Sequence, residues 1–107
     1  MVIKRFEIYW VSLDPTVGRE MQKTRPAVII SPNEINEMMG TVIVAPITSN
    51  KRSFPTRIAF DNSGKENYLA LDHLRAVDKS RLVEKISELN DDAAQELCNR
   101  LQELFAY

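Results

Sequence analysis

The chain has 107 residues, 44% of them apolar, and its 14 Lys and Arg nearly balance 15 Asp and Glu, giving a net charge of -1. Two cores would not fit in this length, so residues 1–107 are expected to form a single domain. The apolar content excludes intrinsic disorder, and apolar runs of strand length exclude a membrane helix. A single Cys and no signal-peptide pattern over residues 1–5 predict a cytoplasmic protein without disulfides or a membrane partner.

Charge is distributed unevenly along the sequence. Residues 1–60 carry 8 basic and 5 acidic side chains, whereas residues 61–107 carry 6 and 10. A net charge near zero argues against a nucleic-acid partner. The basic surplus of the first half nevertheless predicts that any anion-binding face is built there.

The first half of the chain is predicted to form strands. Residues 6–14 have apolar members in both alternating sets, as in a strand covered on both faces. The polar stretch 15–25 is predicted to be a mobile loop. Pro26 and Thr41 each open a short β-branched run that is typical of a strand. Between them, residues 32–40 have Pro at the start and Gly at the end, which indicates one or two helical turns.

Short strands continue into the second half, at 56–60, 68–72 and 74–78, and residues 61–64 indicate a turn. From Asn90 the apolar spacing becomes helical, which predicts an amphipathic helix capped by this residue. The fold class expected from this pattern is mainly β: a small curled sheet or barrel with a short helix and a C-terminal α-helix.

Few side chains could bind a metal. One His and one Cys are too few for a typical zinc site. Carboxylates at predicted strand ends, Asp61, Glu66, Asp72 and Asp78, are more simply solvated or capping groups. Cys98 falls on the apolar stripe of the last helix, as a small buried side chain would. We therefore expect neither a metal nor a cofactor.

Cationic and hydroxyl side chains gather near two predicted strands. They are Arg19, Lys23, Thr24 and Arg25 before and at the second strand, and Thr48, Ser49, Asn50, Lys51, Arg52 and Ser53 at and after the end of the third. A guanidinium binds a phosphate through two bonds, and adjacent hydroxyl groups can bind its other oxygens, so this set suits a phosphodiester. A structural interpretation also fits, with Arg25 paired to Glu20 and Lys51 and Arg52 at a solvated loop tip.

Three segments carry a family resemblance: G-R-E and K-T-R-P-A-V-I-I within 18–30, T-V-I-V-A-P-I-T-S at 41–49, and L-D-H-L-R-A-V-D-K-S-R-L at 71–82. Together, and in this order, they resemble the MazF/PemK/Kid family of toxin ribonucleases, also called mRNA interferases. The resemblance implies an SH3-like small β-barrel similar to CcdB and Kid, assembled as a symmetric homodimer. It also implies metal-independent cleavage of single-stranded RNA at a short preferred sequence, and neutralisation by a cognate antitoxin. Operator DNA would be bound only through the antitoxin complex.

The resemblance also implies site residues. It assigns catalysis to Arg25 and Thr48. Side chains expected to contact RNA are Glu20, Lys23, Ser49, Asn50, Lys51, Asp72, His73 and Arg75. The sequence departs from relatives at several positions: many relatives have Gly and an acidic residue at Phe6 and Glu7, relatives commonly have Gln at His73, and some plasmid relatives have Arg at Ala70.

Cleavage without a metal is simplest if the RNA 2'-hydroxyl attacks its own phosphate, which requires stabilisation of a crowded phosphorane. Arg25 suits that electrostatic role better than the role of base, because a guanidinium stays protonated in proteins. Two alternatives keep the same barrel. A CcdB-like toxin would bind DNA gyrase without chemistry, but the CcdB Trp near the helix C-terminus has no counterpart here, since the only Trp is Trp10. A non-catalytic RNA-binding module is the other.

Overall fold

Antiparallel strands are the main elements of the computed structural model, which describes residues 2–13, 24–49, 57–62 and 65–107. The strands in these ranges are β1 (Glu7–Ser12), β2 (Thr24–Ile29), β3 (Thr41–Thr48), β4 (Arg57–Asn62), β5 (Lys65–Ala70), β6 (Arg75–Asp78) and β7 (Leu82–Glu88). The helices are α1 (Asn33–Met38) and α2 (Asp91–Phe105), and one-turn 3₁₀ helices occupy Leu71–His73 and Lys79–Arg81.

The sheet is arranged around β3. Its strand order is β4-β5-β3-β2-β1-β7, and β6 also pairs with β3. One edge of β3 pairs with β2, and the other pairs first with β6, over Thr41–Val44, and then with β5, over Ile47–Thr48. The predicted mainly β, small barrel-like fold with a C-terminal helix is confirmed.

The core consists of two apolar clusters, and alternate residues of the central strands contribute to each. The helix-side cluster contains Leu97 of α2, fully buried, and the residues Ile8, Val28, Ile30, Ala45, Ile47, Ile58, Leu69 and Leu71. The far-side cluster contains Ile3, Tyr9, Val11, Ala27, Ile29, Val42, Val44, Val77 and Leu82. Both faces of β1 are therefore covered, as the sequence predicts, although Trp10 stays 37% exposed.

Helix α2 begins where the sequence predicts. The Asn90 side chain accepts a hydrogen bond of 2.8 Å from the Ala93 N–H, and Asp91 and Asp92 occupy the first turn. This cap satisfies one of the free N–H groups of the first turn, and the carboxylates favour the positive end of the helix dipole. Leu97 then joins the helix-side cluster, and Cys98 and Leu101 pack against it.

Some predicted boundaries are wrong. Strand β2 starts at Thr24, two residues before Pro26, so Thr24 and Arg25 belong to a strand and not to the predicted loop. Asp61 and Asn62 belong to β4 and not to a turn. Strand β7 has no counterpart among the predicted strands, because two register shifts against β1 leave Val83 and Ile86 without partners and interrupt its alternation.

Phe6 precedes β1 with a φ of 72°, in the left-handed region that favours glycine. Its N–H donates to the Ile29 carbonyl at 2.6 Å, and its carbonyl accepts from the Leu89 N–H at 2.9 Å. The Phe6 ring packs on the helix-side cluster and lies 4.9 Å from the Arg5 guanidinium carbon. A left-handed backbone costs a residue with a side chain about 1–2 kcal/mol, so Phe6 holds a conformation that glycine would adopt more readily.

Glu7 is a buried carboxylate, 5% exposed. It accepts hydrogen bonds from the Lys4 N–H at 2.8 Å and the Tyr9 hydroxyl at 3.2 Å, and it pairs with Lys85. Burial raises the pKa of Glu7, but the Lys4 N–H, Lys85 and Tyr9 outweigh it, so the net pKa is lowered. The charged carboxylate is therefore the form that the fold stabilises.

Candidate nucleic-acid interface

Arg25 and Thr48 lie on adjacent strands. The ladder between β2 and β3 runs from the Ala27–Pro46 pair to the Ile29–Val44 pair. Extending its register by two residues in the other direction brings Arg25 opposite Thr48 on the same face of the sheet. Arg25 is half-buried and Thr48 is 9% exposed. A guanidinium and a hydroxyl can therefore face a common ligand at this end of the two strands.

Pro26 explains why the ladder ends before Arg25 and Thr48. The Ile30 N–H donates to the Ile43 carbonyl at 2.9 Å, so alternate residues of β2, including Pro26, turn their backbone groups toward β3. Proline has no N–H to donate, so the bond that would extend the ladder is missing. At the candidate site the two strands are therefore held by their other neighbours, since Arg25 pairs with Val11 of β1 and Thr48 pairs with Tyr68 of β5.

Pro46 has the corresponding effect at the other edge of β3. Alternate residues of β3 from Val42 to Thr48 turn their backbone groups toward β6 and β5, and Pro46 provides no donor there. Pairing with β6 stops at Val44, and pairing with β5 starts at Ile47. The chain crosses between β5 and β6 in the 3₁₀ turn Leu71–His73, which contacts β3.

This crossing brings the third sequence segment to the candidate site. The His73 Nε2 lies 3.4 Å from Asp72 Oδ2, and the His73 side chain is 61% exposed. Arg75 pairs with Val44, which places it on the face of β3 shared with Thr48. Four residues separate Val44 from Thr48, a distance of about 13 Å along a strand. Val44 and Pro46 on this face are buried, so Arg75 and Thr48 mark two separate positions at its ends.

The structure brings Arg25, Thr48, Asp72, His73 and Arg75 to neighbouring strands and the turn beside them. Ser49 follows β3 and is exposed. Four predicted RNA contacts, Glu20, Lys23, Asn50 and Lys51, lie outside the described residues.

Tyr68 is a neighbour of the candidate site that the sequence does not predict. It pairs directly with Thr48 between β5 and β3 and is 7% exposed. The available signal was the strand run that starts at Tyr68, but the sequence did not show which residue it would face. Strand register, and not strand existence, was the missing information.

Asp72 and Asp78, two of the carboxylates considered above as metal ligands, have other contacts in the structure. Asp78 accepts a hydrogen bond of 2.9 Å from the Ser80 N–H, which lowers the pKa of its carboxyl, and it caps the 3₁₀ turn Lys79–Arg81. Asp72 pairs with His73. Within the described ranges, no group of three or more His, Cys, Asp or Glu side chains could hold a metal ion.

Cys98 is half-buried and packs against the helix-side cluster, as the apolar stripe predicts. Its Sγ also lies 3.8 Å from the Arg5 Nη2, a contact that the sequence did not suggest.

None of the helices in the described part of the chain has the length and apolar character needed to cross a membrane.

The profile of a protein family described as "PemK-like, MazF-like toxin of type II toxin-antitoxin system" matches residues 4–105. The chain belongs to this family. A Bacillus subtilis (strain 168) relative, Endoribonuclease EndoA, is 32% identical over 108 residues, covering 95% of this chain and 93% of the relative. The family resemblance drawn from the three sequence segments is therefore confirmed, and the chain is a MazF-like toxin.

Solved structures agree with this assignment. MazF from Deinococcus radiodurans (Form-I) superposes with a TM-score of 0.81 and 27% identity, covering 100% of this chain and 99% of the other. The MazE-MazF structure (Form-II) from the same organism gives a TM-score of 0.83 at 27% identity, covering 97% and 96%. The fold of this toxin is therefore that of MazF.

Proposed function

We propose that this MazF-like toxin is a sequence-specific, metal-independent endoribonuclease that cleaves single-stranded mRNA and so inhibits growth. Membership of the toxin family and the endoribonuclease name of the Bacillus subtilis relative support this function. The arrangement that carries it is the ladder between β2 and β3, because extending its register by two residues beyond the Ala27–Pro46 pair brings Arg25 opposite Thr48. The family match over residues 4–105 also supports one toxin domain over residues 1–107.

The proposed reaction uses the RNA's own 2'-hydroxyl as nucleophile. The hydroxyl gives its proton to water as its oxygen bonds to the adjacent phosphorus, the bond to the 5'-oxygen breaks, and that oxygen takes up a proton from water. The products carry a 2',3'-cyclic phosphate and a 5'-hydroxyl. Arg25 stabilises the dianionic phosphorane as a permanent cation. The Thr48 hydroxyl donates a hydrogen bond to a second phosphate oxygen. This scheme requires neither a metal nor a cofactor.

The remaining contacts hold RNA on both sides of the cleaved phosphate. Arg75 lies about 13 Å from Thr48 along β3, a distance suited to a different phosphate of the same strand. The exposed His73 and its partner Asp72 suit a base edge or a phosphate. The other proposed RNA contacts are Ser49, exposed after β3, and Glu20, Lys23, Asn50 and Lys51, outside the described residues.

The toxin is further proposed to act as a cytoplasmic homodimer with a cognate antitoxin. Exposed apolar side chains on β1, β7 and α2 support a protein interface; they include Trp10, Val83, Ile86 and Phe105. The MazE-MazF structure from Deinococcus radiodurans supports the proposal that the present toxin also has an antitoxin partner. Operator DNA would be bound only through that antitoxin complex, and no membrane partner is proposed.

The decisive experiment is digestion of a long natural RNA in excess EDTA, followed by sequencing of the new 5' ends. Cleavage at one short sequence is expected, and it should disappear with Arg25→Ala. Loss of cleavage in EDTA that magnesium restores would contradict the metal-independent scheme. Absence of any cleavage, combined with inhibition of DNA supercoiling by gyrase, would favour the CcdB-like alternative. RNA binding without cleavage would favour a non-catalytic RNA-binding module.

A further inference from the structure

A cavity of about 370 Å³ lies between the first turns of α2 and the segment that precedes β1. Its walls are formed by Arg5 and Phe6 on one side and by Asp91, Ala94, Gln95 and Cys98 on the other. Small-ligand sites in proteins have volumes of about 300–1,000 Å³, so this volume lies near the lower end of the range. The cavity therefore suits a small organic molecule.

This cavity is separate from the candidate nucleic-acid interface. Phe6 precedes β1, whereas Arg25 pairs with Val11 near the other end of that strand. Four residues separate Glu7 from Val11, a distance of about 13 Å along a strand. None of the residues that line the cavity is among the proposed RNA contacts. The cavity is therefore a candidate site for a second ligand.

Arg5 supplies the positive charge of the cavity. Its Nε donates to the Ile30 carbonyl at 2.9 Å, its Nη2 lies 3.8 Å from the Cys98 Sγ, and its guanidinium carbon lies 4.9 Å from the centre of the Phe6 ring. These contacts hold the guanidinium in place, so little side-chain freedom is left to lose on binding. Arg5 has no ion-pair partner among the described residues. Its remaining N–H groups can therefore bind a carboxylate.

Asp91 supplies a negative charge on the helix side of the cavity. It is exposed in the first turn of α2, and the side-chain cap of that turn comes from Asn90 instead. Asp91, like Arg5, has no ion-pair partner within the described ranges. The next residue, Asp92, is also exposed in the first turn but does not line the cavity. One cation and one anion thus face the same small space.

The rest of the cavity wall is mainly apolar, and Phe6 contributes its largest side chain. Phe6 keeps its ring at a φ of 72°, a backbone conformation that glycine adopts more readily. Glycine, which many relatives have at this position, provides no such wall. Ala94 and Cys98 add apolar surface from α2. A ligand with an apolar side chain can therefore pack between the ring and the helix.

We propose that this cavity binds a free α-amino acid with an apolar side chain. The α-carboxylate accepts hydrogen bonds from Arg5, the α-ammonium donates to the Asp91 carboxylate, and the side chain packs against Phe6, Ala94 and Cys98. A simple anion would bind Arg5 but face the Asp91 carboxylate, and a simple cation would face the guanidinium. A zwitterion satisfies both charged groups at once.

The first test is an NMR titration of the unmodified protein with L-leucine. Amide shifts should saturate with a Kd of about 1 mM or tighter and should be largest at Ala94 and Gln95. Leucinamide lacks the carboxylate and N-acetyl-L-leucine lacks the ammonium, so each should bind at least about tenfold more weakly. Equal binding of N-acetyl-L-leucine would indicate a simple anion site at Arg5 and overturn the proposal. So would the absence of saturable shifts with L-leucine, L-methionine and L-phenylalanine up to about 10 mM.

Variants of the cavity wall provide the second test. Asp91→Asn should weaken L-leucine binding at least about tenfold, whereas the matched control Asp92→Asn should bind like the unmodified protein. Phe6→Gly should fold, because glycine suits this backbone, and should lose a similar share of the affinity. RNA cleavage by Asp91→Asn should be unchanged, since the cavity is separate from the candidate interface. Full affinity in Asp91→Asn, or an equal loss in Asp92→Asn, would overturn the proposal.

Discussion

The Lys85 ammonium nitrogen lies 3.0 Å from Glu7 Oε2 and joins the edge strand β7 to the buried start of β1. Glu7 also accepts hydrogen bonds from the Lys4 N–H and the Tyr9 hydroxyl. Strand β1 therefore has an ionised anchor at the end opposite to Ser12. Removing one partner of a buried charged network costs more than the network itself contributes, because the remaining groups stay desolvated.

The lowered pKa of Glu7 predicts that the folded protein loses stability in acid. Its pKa is lowered in the folded protein, so its contribution is complete above the ordinary value of 4.5 and is lost as pH falls through the lower folded value. Glu7→Gln should cost about 1–3 kcal/mol at pH 7 and flatten the dependence of Tm on pH below about 5. Glu84→Gln, an exposed acid on β7, is the control. If the Tm of Glu7→Gln fell with pH below about 5 as steeply as the Tm of the unmodified protein, this role would be contradicted.

Arg25→Ala and Thr48→Val should each abolish RNA cleavage and growth arrest. Loss of one group that stabilises the phosphorane should cost roughly 3 kcal/mol, about a hundredfold in rate. Tm should stay nearly unchanged, because neither change removes much core volume. Matched controls are Arg100→Ala on α2 and Thr41→Val at the exposed start of β3. Near-wild-type cleavage by either site variant would mean that the site is misplaced.

A substrate with one deoxynucleotide on the 5' side of the cleaved phosphate should remain uncut. The missing 2'-hydroxyl is the proposed nucleophile, and the all-ribose substrate should yield a 2',3'-cyclic phosphate detectable by mass spectrometry. The same deoxynucleotide placed several positions away should be tolerated. Cutting at the deoxy position would show that another nucleophile, such as water, attacks the phosphate.

His73→Gln should retain substantial cleavage, because relatives commonly have Gln at this position. A Gln amide can make the same kind of hydrogen bond to a base edge or a phosphate as the exposed His73 ring, so RNA affinity should change little in this variant.

His73→Ala should weaken RNA binding more than it slows single-turnover cleavage. Should His73→Gln prove as inactive as Arg25→Ala, His73 would be the general base. Unchanged RNA affinity in His73→Ala would assign His73 a structural role only.

Light scattering at micromolar concentration should give about twice the chain mass of 12.3 kDa. Val83→Glu on β7, where the side chain is 61% exposed, should shift the mass toward the monomer. Met38→Glu, on α1 and 86% exposed, is the control for a surface charge elsewhere. A mass near 12.3 kDa for the unmodified toxin would contradict the proposed homodimer.

Local patterns in the sequence predict much of the fold. The cap at Asn90, the stripe leading to Leu97 and the β-branched runs of β2 and β3 each depend on neighbours a few residues away. Pairing across the sheet does not follow from such patterns. The Thr48–Tyr68 contact depends on register between β3 and β5, and the burial of Glu7 depends on Lys85, which lies far along the chain.

The candidate site was accessible to sequence analysis for a different reason. Arg25, Thr48 and Arg75 stand within the family segments. The resemblance therefore predicts them as site residues without any knowledge of strand pairing. Tyr68 stands outside those segments. Its relation to Thr48 is visible only once the strands are aligned.

The two residues of β7 without partners in β1, Val83 and Ile86, make the outer edge of that strand irregular. A regular edge is a template on which further chains can add as new strands, and repeated addition leads to fibrils. Bulges twist such an edge away from a straight ladder. The bulged edge of β7 is therefore a poorer template for the addition of a further strand than a regular edge would be.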